Sequence, residues 1–278
     1  MTRRRFKAMG TDVELIVEAD RAPAQLDAAE AEFQRLERLL TRFDPGSELS
    51  RLNEQGSLEA GADLLEVVRL ALAGRAATAG RFDPTVHDAV VLAGYDRTFA
   101  ELPEDGPAPA AGAPCGGAVR IEGNRIELAR GVRLDLGGIG KGYAAEQAAT
   151  ILAAAGPCLV NAGGDIALRD IAWTIAVQPQ LTLELEGGGL ATSGRDRRSW
   201  RRDGRELHHL IDPATGEPAA CDLLRATVVA PDAIQAEIWA KALFLAGSHA
   251  AAAEADAQRL PCVLVTRSGE TRLAGGLG

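Results

Sequence analysis

The chain has 278 residues, 46% of them hydrophobic and 25% charged, enough apolar material for one large or two average domains with a core that needs no staple, and incompatible with wholesale disorder. Its 30 Lys and Arg against 39 Asp and Glu give a formal net charge of −9, and an acidic chain with 4% aromatic residues makes a poor nucleic-acid binder. Positive charge is written almost wholly as Arg, the lysines being Lys7, Lys141 and Lys241.

In chain order, the basic start lacks the apolar stretch of a secretory signal. No run of about 18 apolar residues occurs, so a cytoplasmic protein without a membrane span is expected. Residues 13–17 alternate as a strand after the Met9-Gly10-Thr11 turn. Residues 23–41 form an amphipathic helix through Leu26, Phe33, Leu36 and Leu40, stopped at Asp44-Pro45-Gly46. A second helix spans 62–78. Residues 101–117, rich in Pro, Ala and Gly, form a loop dividing subregions of about 1–100 and 118–278. Strands at 118–121 and 125–128 follow, then a glycine-rich turn at 137–142 and a helix over 143–155. Further strands fall at 158–161, 173–177, 181–185 and 262–266, with a helix at 233–246. Strands and helices mix without strict alternation, an α+β pattern. Cys115, Cys158, Cys221 and Cys262 have no paired spacing and read as buried thiols.

Several stretches carry chemistry. Leu134-Asp135-Leu136-Gly137-Gly138-Ile139-Gly140-Lys141-Gly142-Tyr143 follows a strand and opens a helix. Backbone N–H groups there suit an anion and Lys141 suits a phosphate, while a tight turn without a ligand explains the glycines as well. Asn161-Ala162-Gly163-Gly164-Asp165 reads as a hairpin turn or a second wall of the same cleft, where Asp165 would hydrogen-bond a ribose or ring N–H. His208 and His209 precede the turn of Asp212-Pro213 and Thr215-Gly216, and a histidine there suits proton transfer near neutral pH. Glu237 and Lys241 lie one turn apart on a helix, either a surface ion pair or a pair of site residues. Gly80-Arg81-Phe82-Asp83-Pro84-Thr85-Val86 and Arg42-Phe43-Asp44-Pro45 read as turns with an aromatic anchor.

In order and together, these motifs resemble the ApbE family, the FAD:protein FMN transferases. The resemblance includes Met9-Gly10-Thr11, residues 47–53, Arg81 to Val86, Leu134 to Tyr143, residues 161–166, Ala191-Thr192-Ser193-Gly194 and His209-Leu210-Ile211-Asp212-Pro213. It implies an ApbE-like fold over residues 1–278, with mixed sheets and flanking helices around a flavin cleft. It also implies transfer of FMN from FAD to a Ser or Thr hydroxyl of an acceptor flavoprotein, releasing AMP. Met9, Phe43, Arg81, Phe82, Asp83, Asp135, Lys141, Leu210 and Ile211 match FAD-contact positions. His209 matches a histidine implicated in catalysis, with Asp212 near the reaction centre, and the carbonyl of Gly138 matches a Mg²⁺ ligand.

The resemblance breaks at the family's metal motif, Asp-Ala-x-x-Thr, whose Asp and Thr oxygens hold Mg²⁺. The matching positions are Glu237 and Lys241. Glu is one methylene longer than Asp, and a protonated Lys has no lone pair to give. Three outcomes stand: Lys241 replaces the ion and acts in catalysis, the metal shifts to Glu237 and Gly138, or the protein binds FAD without transferring FMN. Hydrolysis of FAD to FMN and AMP is a further alternative.

Overall fold

The computed structural model describes residues 1–112 and 114–277, so within the 101–117 loop residue 113 lies outside the described residues. Eight antiparallel strands form the main sheet in sequence order: Thr2–Ala8, Thr11–Val17, Cys158–Ala162, Asp165–Arg169, Gly188–Gly194, Leu223–Ala230, Cys262–Thr266 and Thr271–Ala274. The helices are α1 (Pro23–Leu40), α2 (Glu48–Gln55), α3 (Ala62–Ala77), α4 (His87–Leu92), α5 (Gly140–Ala153) and α6 (Ala233–Gln258).

The period-2 alternation of the strands sorts their side chains onto two faces. Leu15, Val17, Val160 and Ala167 point to the side covered by α1 and α5, in the largest core. Ile16, Leu159, Ile166, Leu168 and Leu190 point to the other side. There the hairpin of Trp173–Gln178 and Leu181–Leu185 lays Trp173, Ile175, Val177, Leu183 and Leu185 over them. Helix α1 buries Leu26, Ala29, Phe33, Leu36 and Leu40 at the spacing of one helical stripe. The facing side of α5 is almost all alanine, with Ala144, Ala145, Ala148 and Ala149 fully buried, which brings helix and sheet close.

Caps fix the helix ends. Ser47 Oγ accepts the Ser50 N–H at 2.9 Å to start α2, and Gly56 ends it with φ 72°. Asp232 accepts the Gln235 N–H at 2.7 Å to start α6. Glu146 of α5 accepts the Ala233 N–H at 2.7 Å and also pairs with Arg169, tying the two helices together.

Several elements depart from the sequence expectation. Helix α5 begins at Gly140 rather than residue 143, so Lys141 stands in its first turn. Helix α6 continues past Ala246 to Gln258 across a break at Gly247, where φ is 77°. Asp222 restarts it, accepting the Ser248 N–H at 2.9 Å. The strand Thr2–Ala8 went unread because its Arg and Lys residues mask the alternation, yet it pairs along its whole length with Thr11–Val17. Cys158 and Cys262 are buried as expected, but Cys115 and Cys221 are only half-buried. The 101–117 loop is strapped down on both sides: Arg75 donates to the carbonyls of Gly116 and Gly117, and the Cys115 N–H donates to Pro213. Among the described residues, no helix is long and apolar enough to cross a membrane.

Candidate functional site

The N-terminal ends of α5 and the loops around it open onto a cavity of about 430 Å³. Met9, Phe43, Arg81, Phe82, Asp83 and Asp135 line one part of it. Gly138, Lys141, His209, Leu210, Ile211 and Lys241 line it as well. These residues come from both sides of the 101–117 loop, so segments far apart in sequence build one wall. Asp165, Asp212 and Glu237 are not in that lining. Asp165 and Glu237 stand behind the two lysines, and the Asp212 carboxylate is turned to its own loop, accepting the Ala214 N–H at 2.9 Å. Ser193, in the Gly188–Gly194 strand, is buried in the sheet.

The lining is held by bonds that the motifs explain. Asn53 of α2 clamps the backbone of Leu134: its side chain donates to the carbonyl at 2.8 Å and accepts the N–H at 2.7 Å. Asp135 N–H donates to the Pro84 carbonyl at 2.8 Å, and Asp83 Oδ1 accepts both the N–H and the hydroxyl of Thr85. Met9 sits in the hairpin turn with φ 51° and donates its N–H to Glu37 at 2.6 Å. Arg81 pairs with Glu254 through Nη2, while its buried Nε has no partner among the described residues. An unpaired buried donor at a cavity wall is costly without an acceptor.

Sequence reading assigned no role to Arg42, Tyr95, Phe99 or Arg198, all of which line the cavity. The Arg42 guanidinium is 2.9 Å from Asp135 and lies over the rings of Phe43 at 4.2 Å and Tyr95 at 4.8 Å. Tyr95 and Phe99 meet edge to face. The result is a half-apolar, aromatic compartment beside a charged one. Only the two Arg-Phe-Asp-Pro tetrapeptides signalled any of it; Tyr95 and Phe99 sit in a stretch with no periodic pattern.

The charged compartment is a run of four side chains. Lys141 Nζ bonds Asp165 and lies 2.6 Å from Glu237 Oε1. Lys241 Nζ is 3.1 Å from the same oxygen. Glu237 Oε2 accepts the Gly142 N–H at 2.9 Å, one of the amides that α5 cannot satisfy within itself. Burial alone would raise the Glu237 carboxyl, but the two ammoniums and the Gly142 amide outweigh it and hold the group below the usual carboxylate range. Burial opposes the Lys141 ammonium too, yet Asp165 and Glu237 hold it above the usual lysine range. For Lys241 burial wins, and its ammonium is held below that range.

The two adjacent histidines are not equivalent. His208 Nε2 donates to the Ala219 carbonyl at 3.1 Å, and its Nδ1 accepts the Leu210 N–H at 3.3 Å. Both ring nitrogens are used inside the core, and burial pushes this imidazole down to about 4. His209 Nδ1 faces the Arg198 carbonyl at 3.3 Å. A carbonyl only accepts, so Nδ1 carries the proton and Nε2 keeps its lone pair. Burial, then Arg198 and Lys241, hold this imidazole well below its usual value, so it is neutral at physiological pH.

The residues present do not fit a divalent ion. Both Glu237 oxygens are taken by ammoniums and an amide, and a methyl placed on Gly138 would lie 3.0 Å from Lys241 Cε, so the lysine stem already covers that backbone. Among the described residues no group of three or more His, Cys, Asp or Glu is arranged to hold a metal.

The ApbE family model matches residues 9–264. The chain belongs to the ApbE family. It is 29% identical to the FAD:protein FMN transferase of Klebsiella pneumoniae (strain 342), over 95% of this chain and 84% of that protein. With the enzyme of the same name from Escherichia coli (strain K12) it shares 27% identity over 92% and 80%. Its fold superimposes on the ApbE protein of Thermotoga maritima with a TM-score of 0.88 at 26% identity, covering 98% of this chain and 96% of that one. The Pseudomonas stutzeri flavinyl transferase ApbE shares the fold at a TM-score of 0.85 and 23% identity, over 98% and 94%. The α+β architecture is therefore the ApbE fold.

Proposed function

We propose that this chain transfers FMN from FAD to a hydroxyl of a protein acceptor, releasing AMP. The observation that carries the reading is the neutral His209, its Nε2 lone pair free, lining the same cavity as the Lys141 and Lys241 ammoniums. The aromatic compartment of Phe43, Tyr95 and Phe99 suits the flat isoalloxazine ring, and the charged compartment suits the diphosphate. Arg81 Nε offers a buried donor with no acceptor among the described residues.

In the reaction, the acceptor oxygen attacks the FMN phosphorus. Its proton passes to His209 Nε2, a phosphoester bond forms, and the P–O bond to AMP breaks. Phosphoryl transfer asks the protein mainly for positioning and for positive charge around the phosphorus oxygens. Lys141, Lys241 and Arg198 supply that charge, and Asp165 and Glu237 hold the two lysines in place. Asp212 shapes the loop that presents His209. We take residues 1–278 as one catalytic domain, because the lining is drawn from both flanks of the 101–117 loop.

The test incubates the protein with FAD and an acceptor domain that the Escherichia coli relative modifies, and reads the acceptor by intact mass. A covalent FMN adduct with release of AMP is expected. FAD binding without an adduct would instead support a flavin carrier, and FMN and AMP appearing without acceptor would support a pyrophosphatase.

A further inference from the structure

The first turn of α5 and the Glu237–Lys241 turn of α6 meet in an alternating row of charge: Asp165, Lys141, Glu237, Lys241. Glu237 and Lys241 occupy the helix positions where the family motif places two oxygen ligands for Mg²⁺, and Lys241 lies against Gly138, the third expected ligand. The Glu237 carboxylate already accepts from two ammoniums and an amide, three of its roughly four lone pairs, and so has little left to give a metal. An added divalent ion would also meet the Lys241 charge at close range. Among the described residues the Arg198 guanidinium bonds only the Met9 and Gly10 carbonyls, each at a long 3.5 Å, and so remains available to an anion in the cavity it lines.

We infer that this chain binds and cleaves FAD without a divalent cation, the Lys241 ammonium standing where its relatives' motif holds the metal and Arg198 supplying a second positive charge. This rests on the flavin-transfer reading above. An ammonium gives three donors without needing an octahedral shell, and a guanidinium grips two phosphate oxygens at once. The bonds made and broken are those already written, with AMP as the leaving group, and no further reactant is consumed.

The experiment titrates FAD into the ligand-free protein by flavin fluorescence, in EDTA and in millimolar Mg²⁺, and follows Mn²⁺ binding by EPR. Equal FAD affinity within about twofold and no bound Mn²⁺ are expected, with FMN transfer persisting in EDTA. FAD affinity about tenfold higher in Mg²⁺, or Mn²⁺ bound by the unaltered protein, would overturn the inference while leaving the flavin-transfer reading intact. Absence of FAD binding in both buffers would overturn that reading and the inference with it. The Glu237→Asp, Lys241→Thr double variant should acquire Mn²⁺ binding and Mg²⁺-dependent FAD affinity. Lys241→Met, checked for folding by circular dichroism, should lose about tenfold in FAD affinity in EDTA; unchanged affinity there would count against a phosphate-binding Lys241.

Discussion

Lys141 Nζ lies 2.6 Å from Glu237 Oε1, a contact between residues 96 apart in sequence that joins α5 to α6. Glu237 also closes the N-terminus of α5 through the Gly142 amide. One carboxylate thus caps a helix, fixes the lysine on that helix and fixes the lysine of its own helix. The charged end of the cavity and the α5–α6 junction are the same construction.

Replacing Lys141 with Met should therefore cost both binding and stability. Asp165 and Glu237, 3% and 1% exposed, would lose their shared partner, and breaking such a buried pair costs about 3 kcal/mol. FAD affinity should fall at least about tenfold. Thermal melting and FAD titration read the two effects separately. A variant that melts like the parent would show the acids to be neutral already.

In the proposed reaction the His209 imidazole takes up the acceptor's proton, so His209→Ala should lower kcat by about 100-fold or more while FAD affinity stays within a few-fold. Because its folded value lies well below 6.5, the lone pair survives mild acid. The acidic limb of the rate profile should fall below pH 6.5. A limb centred at 6.5 or higher in the parent enzyme would exclude His209 as the base.

Gly142→Ala tests the helix junction by volume alone. A methyl there would lie 2.7 Å from the Ala233 carbonyl and 3.1 Å from Glu237 Oε2. The helices must separate, at about 1–3 kcal/mol, and the Glu237 bonds to Gly142 and Lys141 lengthen. The melting temperature and FAD affinity should fall together; loss of stability with affinity preserved would uncouple the junction from the pocket.

His208 makes stability depend on pH. Its folded value of about 4 lies below the ordinary 6.5, so below pH 6.5 the unfolded chain takes up a proton that the native chain refuses. Its contribution is complete above pH 6.5, shrinks as pH falls towards 4 and is then spent. The swing is at most about 3 kcal/mol. His208→Gln should flatten the melting temperature against pH over that window relative to the parent. An unchanged slope would assign the acid sensitivity to other groups.

Much of this was legible in the sequence. The stripe Leu26, Phe33, Leu36 and Leu40 gave α1 to within a residue of its ends, and the order of motifs gave the family. Helix α2 hid because its eight residues carry only two buried leucines, too few for a periodic signal. The strand Gly188–Gly194 hid behind its glycines, which neighbouring backbone requires: a methyl on Gly189 would lie 2.2 Å from the Ala233 nitrogen. Lys141 and His209 were readable from local motifs. Arg42 and Arg198 were not, because the partners that give them meaning, the Tyr95 ring and the His209 imidazole, are supplied by tertiary packing. Asp212 was readable from its motif too, and its carboxylate accepts the Ala214 N–H within its own turn.

The sequence-ordered sheet has one long interruption, between the strands ending at Val17 and beginning at Cys158, and α1 to α5 lie inside it. Pairing those two strands closes a very large loop, which is slow compared with forming a hairpin or a helix. On a ribosome the first hairpin emerges early and must wait, with Arg3, Arg4, Arg5 and Lys7 on its outer strand guarding an edge that would otherwise seek a partner. The cavity draws its wall from Met9 to Leu245, so it comes into being only after that closure, and a half-made chain has no such cavity.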